Sequence, residues 1–263
     1  MRICIKIGTA LISRGNRLNH RWLKDKVREI ASLHKRGHEI VIVSSGAVAA
    51  GMEIAGLTDR PTQTLKLQLM SGMGQIRLMK NYKDYFKSEG IHVAQILLTH
   101  HNFASKNEQS TIQAIMEAYF QERVIPIVNE NDMINKEEVE VKPVFTDNDI
   151  LAALVAARVK ADLLLILTDV DGLYQGNPKQ DSRAKLVEEV GVIDRWIEEM
   201  AAEETNPLGL GGMASKVQAA KMASSEGIDT IVANGRYPLD DILGEKVPRT
   251  LFRTVSASSY PSS

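Results

Sequence analysis

The chain has 263 residues, 44% of them hydrophobic and 25% charged, which are ordinary values for a globular protein with a sizeable core. Lys+Arg at 32 against Asp+Glu at 33 gives a net charge of −1, so no broad field points to nucleic acid or an anionic membrane, and a small-molecule partner is expected. The single cysteine, Cys4, excludes an internal disulfide and a Cys-based zinc site; with no secretory h-region after Met1 and no apolar run near the roughly 20 residues that span a bilayer, a cytoplasmic protein without membrane contact is expected.

Residues 3–7 form the first of six short runs rich in Val, Ile and Leu. Between it and the second run, at 40–43, Leu23, Val27, Ile30, Ala31 and His34 fall on one helical face, with Asn19 as N-cap and Gly37 as the C-terminal stop, so the three make a βαβ unit. A helix is predicted over 63–88, where Met70, Met73 and Met79 mark core or an interface. A strand at 93–98, a helix at 107–122 and a strand at 124–128 follow, then an exposed hairpin at 136–144. The remaining elements are a helix at 149–159, a strand at 163–167, a helical acidic stretch at 197–204, a helix at 215–226 and a strand at 230–232. The strand runs are continuously apolar, as expected when helices cover both faces of a mainly parallel sheet, so the class is α/β. The Ser-rich end, 254–263, cannot bury enough surface to order itself.

Glycines stand where strands end, and backbone N–H groups approach phosphate closely only where side chains are absent. The places are Lys6-Ile7-Gly8-Thr9, Ser44-Ser45-Gly46-Ala47 with Gly51, Thr168-Asp169-Val170-Asp171-Gly172, and Gly209-Leu210-Gly211-Gly212-Met213-Ala214-Ser215-Lys216 before a helix. No Gly-Lys followed by Ser or Thr occurs, which argues against a Walker A loop. Gly209, Gly211 and Ala214 fit a loose G-x-G-x-x-A pattern but follow a helical stretch, so they are not a dinucleotide fingerprint. Lys6 and Lys216 are each either an ordinary surface lysine or a cation facing a transferring phosphoryl group. Two further segments carry more polar residues than turns need, Asn129-Glu130-Asn131-Asp132 and Thr146-Asp147-Asn148-Asp149; turn formation and helix capping are the alternatives to ligand binding. His100 and His101 are adjacent rather than one helical turn apart, and Ser45 lacks the G-x-S-x-G elbow, so neither a zinc site nor acyl transfer is supported.

Together, Lys6-Ile7-Gly8-Thr9, the segment from Val43 to Gly51, Asn129-Glu130-Asn131-Asp132, Asp147-Asn148-Asp149, Leu167-Thr168-Asp169 with Gly172-Leu173-Tyr174, and Gly211-Gly212-Met213 with Lys216 resemble, in order and spacing, the motif set of the glutamate 5-kinase family. The resemblance implies an amino acid kinase domain over 1–253 with a carbamate kinase-like, three-layer αβα fold around a twisted, mainly parallel sheet. It implies ATP and L-glutamate as partners, Mg²⁺ carried on the ATP phosphates without a protein metal site, and a homo-oligomer, dimer or tetramer. By the same resemblance Lys6 and Lys216 neutralise the phosphoryl group in flight, and Asp149 holds those lysines. Gly8 and Gly46 are backbone donors near the phosphates. Ser45, Gly46, Ala47, Asn129, Asp132 and Asn148 bind glutamate, with Asp132 at its ammonium and Asn148 and Ser45 nearer its carboxylates. Lys6, Gly8, Thr168, Asp169, Gly211, Gly212, Met213 and Lys216 bind ATP. Leu210 and Thr146 depart from the family's common Thr and Gly. Many members carry a C-terminal PUA domain; this sequence ends where it would begin, so RNA binding is not implied. The open alternatives are another acceptor within the same fold, such as aspartate or N-acetylglutamate, and a nucleotide-binding regulatory protein without turnover.

Overall fold

A computed structural model describes residues 1–134, 148–176, 183–203 and 212–254. The strands are β1 (Arg2–Ile7), β2 (Ser13–Arg14), β3 (Arg17–Leu18), β4 (Glu39–Ser44), β5 (Val93–Leu98), β6 (Ile125–Glu130), β7 (Leu163–Thr168), β8 (Glu189–Val190), β9 (Asp229–Asn234) and β10 (Arg249–Phe252). The helices are α1 (Thr9–Ile12), α2 (His20–Lys35), α3 (Ala47–Ala55), α4 (Thr64–Ser88), α5 (Lys106–Gln121), α6 (Asn148–Arg158), α7 (Arg195–Glu203), α8 (Met213–Ser225) and α9 (Leu239–Leu243).

The central sheet has the order β5-β6-β4-β1-β7-β9-β10-β8. Every pairing from β5 to β9 is parallel; β10 runs antiparallel to β9, and β8 pairs with β10 in parallel. Because side chains alternate across a strand, each strand feeds two separate cores. Ile3, Ile5 and Ile7 join Ile40, Ile42, Ile125, Ile127 and Leu165 under α2, α3 and α4. Cys4, Val41, Val43, Val128, Leu164 and Ile166 face the opposite layer of α5, α6, α7 and α8. This is the expected αβα sandwich, and it explains the continuous apolar runs: both faces of each strand are dry.

The predicted βαβ unit forms as read. Asn19 accepts the Trp22 N–H at 3.3 Å to cap α2. Past the end of that helix Gly37 takes φ +94°, and the His38 N–H returns to the Leu33 carbonyl at 3.4 Å, closing the terminus. Two differences bear on function. β6 runs to Glu130, so Asn129 lies inside the ladder, paired with Leu97, rather than in a turn after it. The short segments α3, β8 and β10 are further elements beyond the six runs, too brief to show a period of their own. The hairpin expected at 136–144 lies outside the described residues, as does 255–263 of the tail.

The crossing of α3 and α4 is unusually close. A Cβ on Gly51 would land well inside contact distance of the Met70 carbonyl, and one on Gly74 would strike the Ala47 carbonyl and the Gly51 amide. Backbone cannot yield as a side chain can, so Gly74→Ala is expected to cost about 1–3 kcal/mol or more through overpacking. Thermal unfolding checks this, at about 2–4 °C per kcal/mol for a chain of this size. Gly191→Ala, whose Cβ would meet nothing within 4 Å, is the matched control and leaves the midpoint unchanged.

Candidate functional site

The C-terminal ends of β1, β4, β6 and β7 meet the N-termini of α3, α6 and α8 along one edge of the sheet, where open α/β sheets bind ligands. Pleat parity aims Lys6 at the α6–α8 layer, since Ile5 and Ile7 on either side of it enter the opposite core. There Asp149, fully buried in the first turn of α6, forms an ion pair with the Lys6 ammonium and another with Lys216 Nζ at 2.9 Å. Ser215 Oγ donates to the same Asp149 Oδ2 at 3.0 Å. Lys6 and Lys216 are each 4% exposed, so neither is the surface lysine of the alternative reading. Burial alone would push the Asp149 carboxyl up, but the two ammonium groups overcome this and hold it well below the usual carboxylate range. Two buried cations thus share the Asp149 carboxylate at the C-terminal ends of the strands.

A chain of side-chain hydrogen bonds leads away from this pole. Asn148, adjoining Asp149, donates from Nδ2 to Ser45 Oγ at 3.1 Å and to Asn129 Oδ1 at 3.2 Å. Asn129 Nδ2 in turn donates to Gln75 Oε1 of α4 at 2.9 Å. Gly46, at φ +106°, turns the chain from β4 into α3, and its Cβ would meet Ile12 Cγ2 at 2.9 Å, so glycine is required by backbone and space alike. Ala47 is buried as the first residue of α3, whose opening amides have no intrahelical acceptor. Asp132, just beyond β6, is held by the Ser71 hydroxyl, while Gln68 Nε2 donates to its carbonyl at 3.0 Å. Burial raises the Asp132 carboxyl above its ordinary value, against the lowering pull of Ser71 and the Arg60 charge.

On the other side of the lysine pole, Gly8 lies where a Cβ would sit 3.0 Å from the Leu167 carbonyl oxygen and 3.9 Å from Lys6 Nζ. Its own N–H donates to Leu167 at 3.1 Å. The β1–β7 ladder thus continues one residue past the strand through this amide, and the missing side chain leaves clearance beside Lys6. Thr168 ends β7 with its hydroxyl 3.3 Å from Asp169 Oδ1. Gly212 precedes α8, and Met213 is buried in its first turn. Gly211 lies outside the described residues, with Leu210, Thr146 and Asp147. Among the described residues, no group of three His, Cys, Asp or Glu gathers in a way that could hold a metal ion.

The predicted residues thus form two adjoining groups: Lys6, Gly8, Asp149, Thr168 and Lys216, and then Ser45, Gly46, Ala47, Asn129 and Asn148, with Asp132 beyond. Sequence reading missed Ser71 and Gln75, which are spaced one turn apart on an otherwise ordinary helix. It also missed Asn234, whose Nδ2 donates to the Asp169 carbonyl and to Asp171 Oδ1, both at 3.0 Å. Asn234 ends β9, and only the β7–β9 pairing brings it to the Thr168 segment.

The sequence profile of the amino acid kinase family matches residues 1–234. The chain is 41% identical over 240 residues to a glutamate 5-kinase of Methylococcus capsulatus, covering 89% of this chain and 62% of that protein. It is 42% identical over 242 residues to one of Dehalococcoides mccartyi, covering 90% and 64%, and 39% identical over 250 residues to one of Photorhabdus laumondii, covering 93% and 65%. The chain therefore spans less than two thirds of the length of these curated relatives. Among solved structures, a carbamate kinase from Giardia lamblia bound to AMP-PNP aligns with a TM-score of 0.66 at 15% identity, over 95% of this chain and 98% of that one. A UMP kinase from Ureaplasma parvum aligns with a TM-score of 0.60 at 17% identity, over 96% and 98%. These last two likenesses establish the fold, and with the profile match over most of its length the chain belongs to the amino acid kinase family.

Proposed function

We propose that the protein transfers the γ-phosphoryl group of ATP to the γ-carboxylate of L-glutamate, forming L-glutamyl 5-phosphate, the first intermediate of proline synthesis. The observation that carries this reading is the buried Lys6–Asp149–Lys216 cluster abutting the Ser45–Asn148–Asn129 chain, with the carboxylate of Asp132 at its far side. The glutamate 5-kinases that the chain matches at about 40% identity support the choice of acceptor.

The chemistry needs no general base. The side-chain carboxyl of glutamate, with a pKa of about 4.3, is already an ionised nucleophile at neutral pH. What the site supplies is position and charge. Ser45 Oγ accepts from Asn148 and so keeps its own proton to donate to the reacting carboxylate beside the pole, and the Asp132 carboxylate pairs with the ammonium group. Lys6 and Lys216 face the phosphoryl group as negative charge spreads over its oxygens and onto the leaving ADP. Asp149 neutralises half of that pair, so the lysines stay close together without repelling one another out of the site. The clearance at Gly8 and the start of α8 at Gly212, which has no side-chain cap, leave room for phosphates next to both lysines. The donor set fits Mg²⁺ held by ATP phosphates and water rather than by the protein, because Asp149 is engaged by two ammonium groups; so bound, the ion neutralises phosphate charge.

Homo-oligomerisation is part of the same reading. Leu65, Leu69, Met73 and Ile76 run along one side of α4 and are 42–76% exposed, an apolar stripe suited to a second copy; Met79, by contrast, packs against the core. No helix among the described residues is long and apolar enough to cross a membrane.

The test is ADP release from MgATP with hydroxylamine present to trap an acyl phosphate, with L-glutamate, L-aspartate, N-acetyl-L-glutamate or no acceptor. Hydroxamate formed with L-glutamate alone is the expected result. Hydroxamate with a different acceptor keeps the kinase and moves the substrate. ATP binding with no transfer to any acceptor favours the regulatory alternative.

A further inference from the structure

α4 turns a polar stripe inward. Gln68, Ser71 and Gln75, spaced i, i+3 and i+7, all meet the end of β6: the first two hold Asp132, and the third meets Asn129. The orientation of the amides here follows from donors that cannot be reversed. The Glu130 backbone N–H donates to Asn129 Oδ1 at 2.9 Å, so Asn129 must turn Nδ2 toward Gln75, and Gln75 must present Oε1. Gln75 Nε2 is left over. The residue is only 8% exposed, and this NH₂ is buried without a hydrogen-bond partner among the described residues. At the other end of the chain, Asn148 Nδ2 serves Ser45 Oγ, Asn129 Oδ1 and, at 3.4 Å, the Ser44 carbonyl, which leaves its Oδ1 buried and unpartnered as well. Buried polar atoms are rarely left unpaired unless a ligand or water completes them.

We infer that Gln75 is a specificity-determining residue whose Nε2 donates to the α-carboxylate of the acceptor amino acid, the carboxylate that does not react. The inference rests on the reading of the site as an amino-acid kinase. The order of residues selects that carboxylate. Asn148 adjoins Asp149 and the lysines, so the sequence Ser45, Asn148, Asn129, Gln75 runs away from the phosphoryl pole. Gln75 then lies one helical turn from Ser71, which holds Asp132 where the ammonium binds. A donor beside that carboxylate and an acceptor beside the ammonium together match the two charges on the substrate's α-carbon. A neutral amide donating to an ionised carboxylate makes a charge-assisted bond, and no counter-charge needs to be buried for it. The placement is set by the Gly51–Gly74 helix crossing, which brings α4 near enough for Gln75 to reach Asn129.

Gln75→Glu separates this role from a structural one. The variant keeps an oxygen for Asn129 Nδ2 to donate to, so a residue that merely braces Asn129 is preserved, while the donor is replaced by a charge that repels a carboxylate. Steady-state kinetics of the purified chain in the hydroxamate assay are expected to show KM for L-glutamate raised about 10- to 100-fold, as for loss of a hydrogen bond to a charged group, with KM for ATP within twofold of wild type. The preference for L-glutamate over 4-aminobutanoate, which has the ammonium and the reacting carboxylate but no α-carboxylate, shrinks by a similar factor. Should the charged variant fail to fold, Gln75→Met, nearly isosteric but lacking both donor and oxygen, is compared on the two acceptors: lost bracing of Asn129 costs both alike, whereas a lost donor to the α-carboxylate costs L-glutamate alone. An unchanged KM for L-glutamate in a folded variant, or equal losses on both acceptors, overturns the assignment of Gln75 while leaving the kinase reading intact. Absence of hydroxamate with wild-type protein on every acceptor overturns both, and transfer to another amino acid moves the same comparison to that acceptor.

Discussion

Lys216→Ala is expected to lower kcat by about 10²–10³-fold while leaving the fold in place. The reason is geometric. Lys216 Nζ is 2.9 Å from Asp149 Oδ2 and almost wholly buried, so its charge acts in a medium that screens it poorly, and no water reorganises to replace it when the phosphoryl group develops charge. Removing it leaves Asp149 still paired with Lys6, so the carboxylate is not stranded. KM for either substrate then changes little, since the lost interaction is strongest in the transition state. Single-turnover or steady-state hydroxamate kinetics with a thermal melt check both parts. A kcat within threefold of wild type sinks the assigned role.

Asp149→Asn has the opposite balance. It removes the carboxylate that two buried ammonium groups share, and stripping a partner from a buried ionic cluster costs about 3–5 kcal/mol. At about 2–4 °C per kcal/mol for a chain of this length, the melting midpoint drops by roughly 10 °C, and transfer is lost as well. The pH dependence follows from the sign of the shift. The folded carboxyl of Asp149 titrates below its unfolded value of about 3.9, so its contribution to stability is fully present above that value and is lost as pH falls toward the folded one. Denaturant unfolding of the wild type is expected to weaken from about pH 5 downward, and the variant shows a flatter acid limb. Equal slopes in the two proteins would show that Asp149 does not govern acid stability.

Much of this architecture was written in local pattern. Asn19, the apolar face from Leu23 to His34 and Gly37 specified α2 with its cap and stop, because capping and helical periodicity are short-range properties. The six apolar runs announced strands buried on both faces, and the motif series from Lys6 to Lys216 announced the family. Lys6 and Lys216 taken singly were ambiguous, and what turns each from a surface lysine into half of a cluster is the Asp149 carboxylate brought up by α6.

What only the tertiary structure decided lies at contacts between segments far apart in sequence. β1 pairs with β7, Ile3 opposite Leu163, and that register sets Thr168 beside Gly8 and gives the Gly8 amide its Leu167 partner. β6 extends through Asn129 and Glu130, which read as turn formers, because pairing with β5 outweighs their weak strand propensity. The parity of β6 then turns Asn129 toward α4, and Gln75, one polar residue among many on a long helix, becomes a buried donor. Sequence therefore determined the longer elements and the cast of charged residues, since these depend on composition and short periods. The site's working geometry waited on strand order, pleat parity and the glycine-closed approach of α3 to α4, which no local pattern encodes.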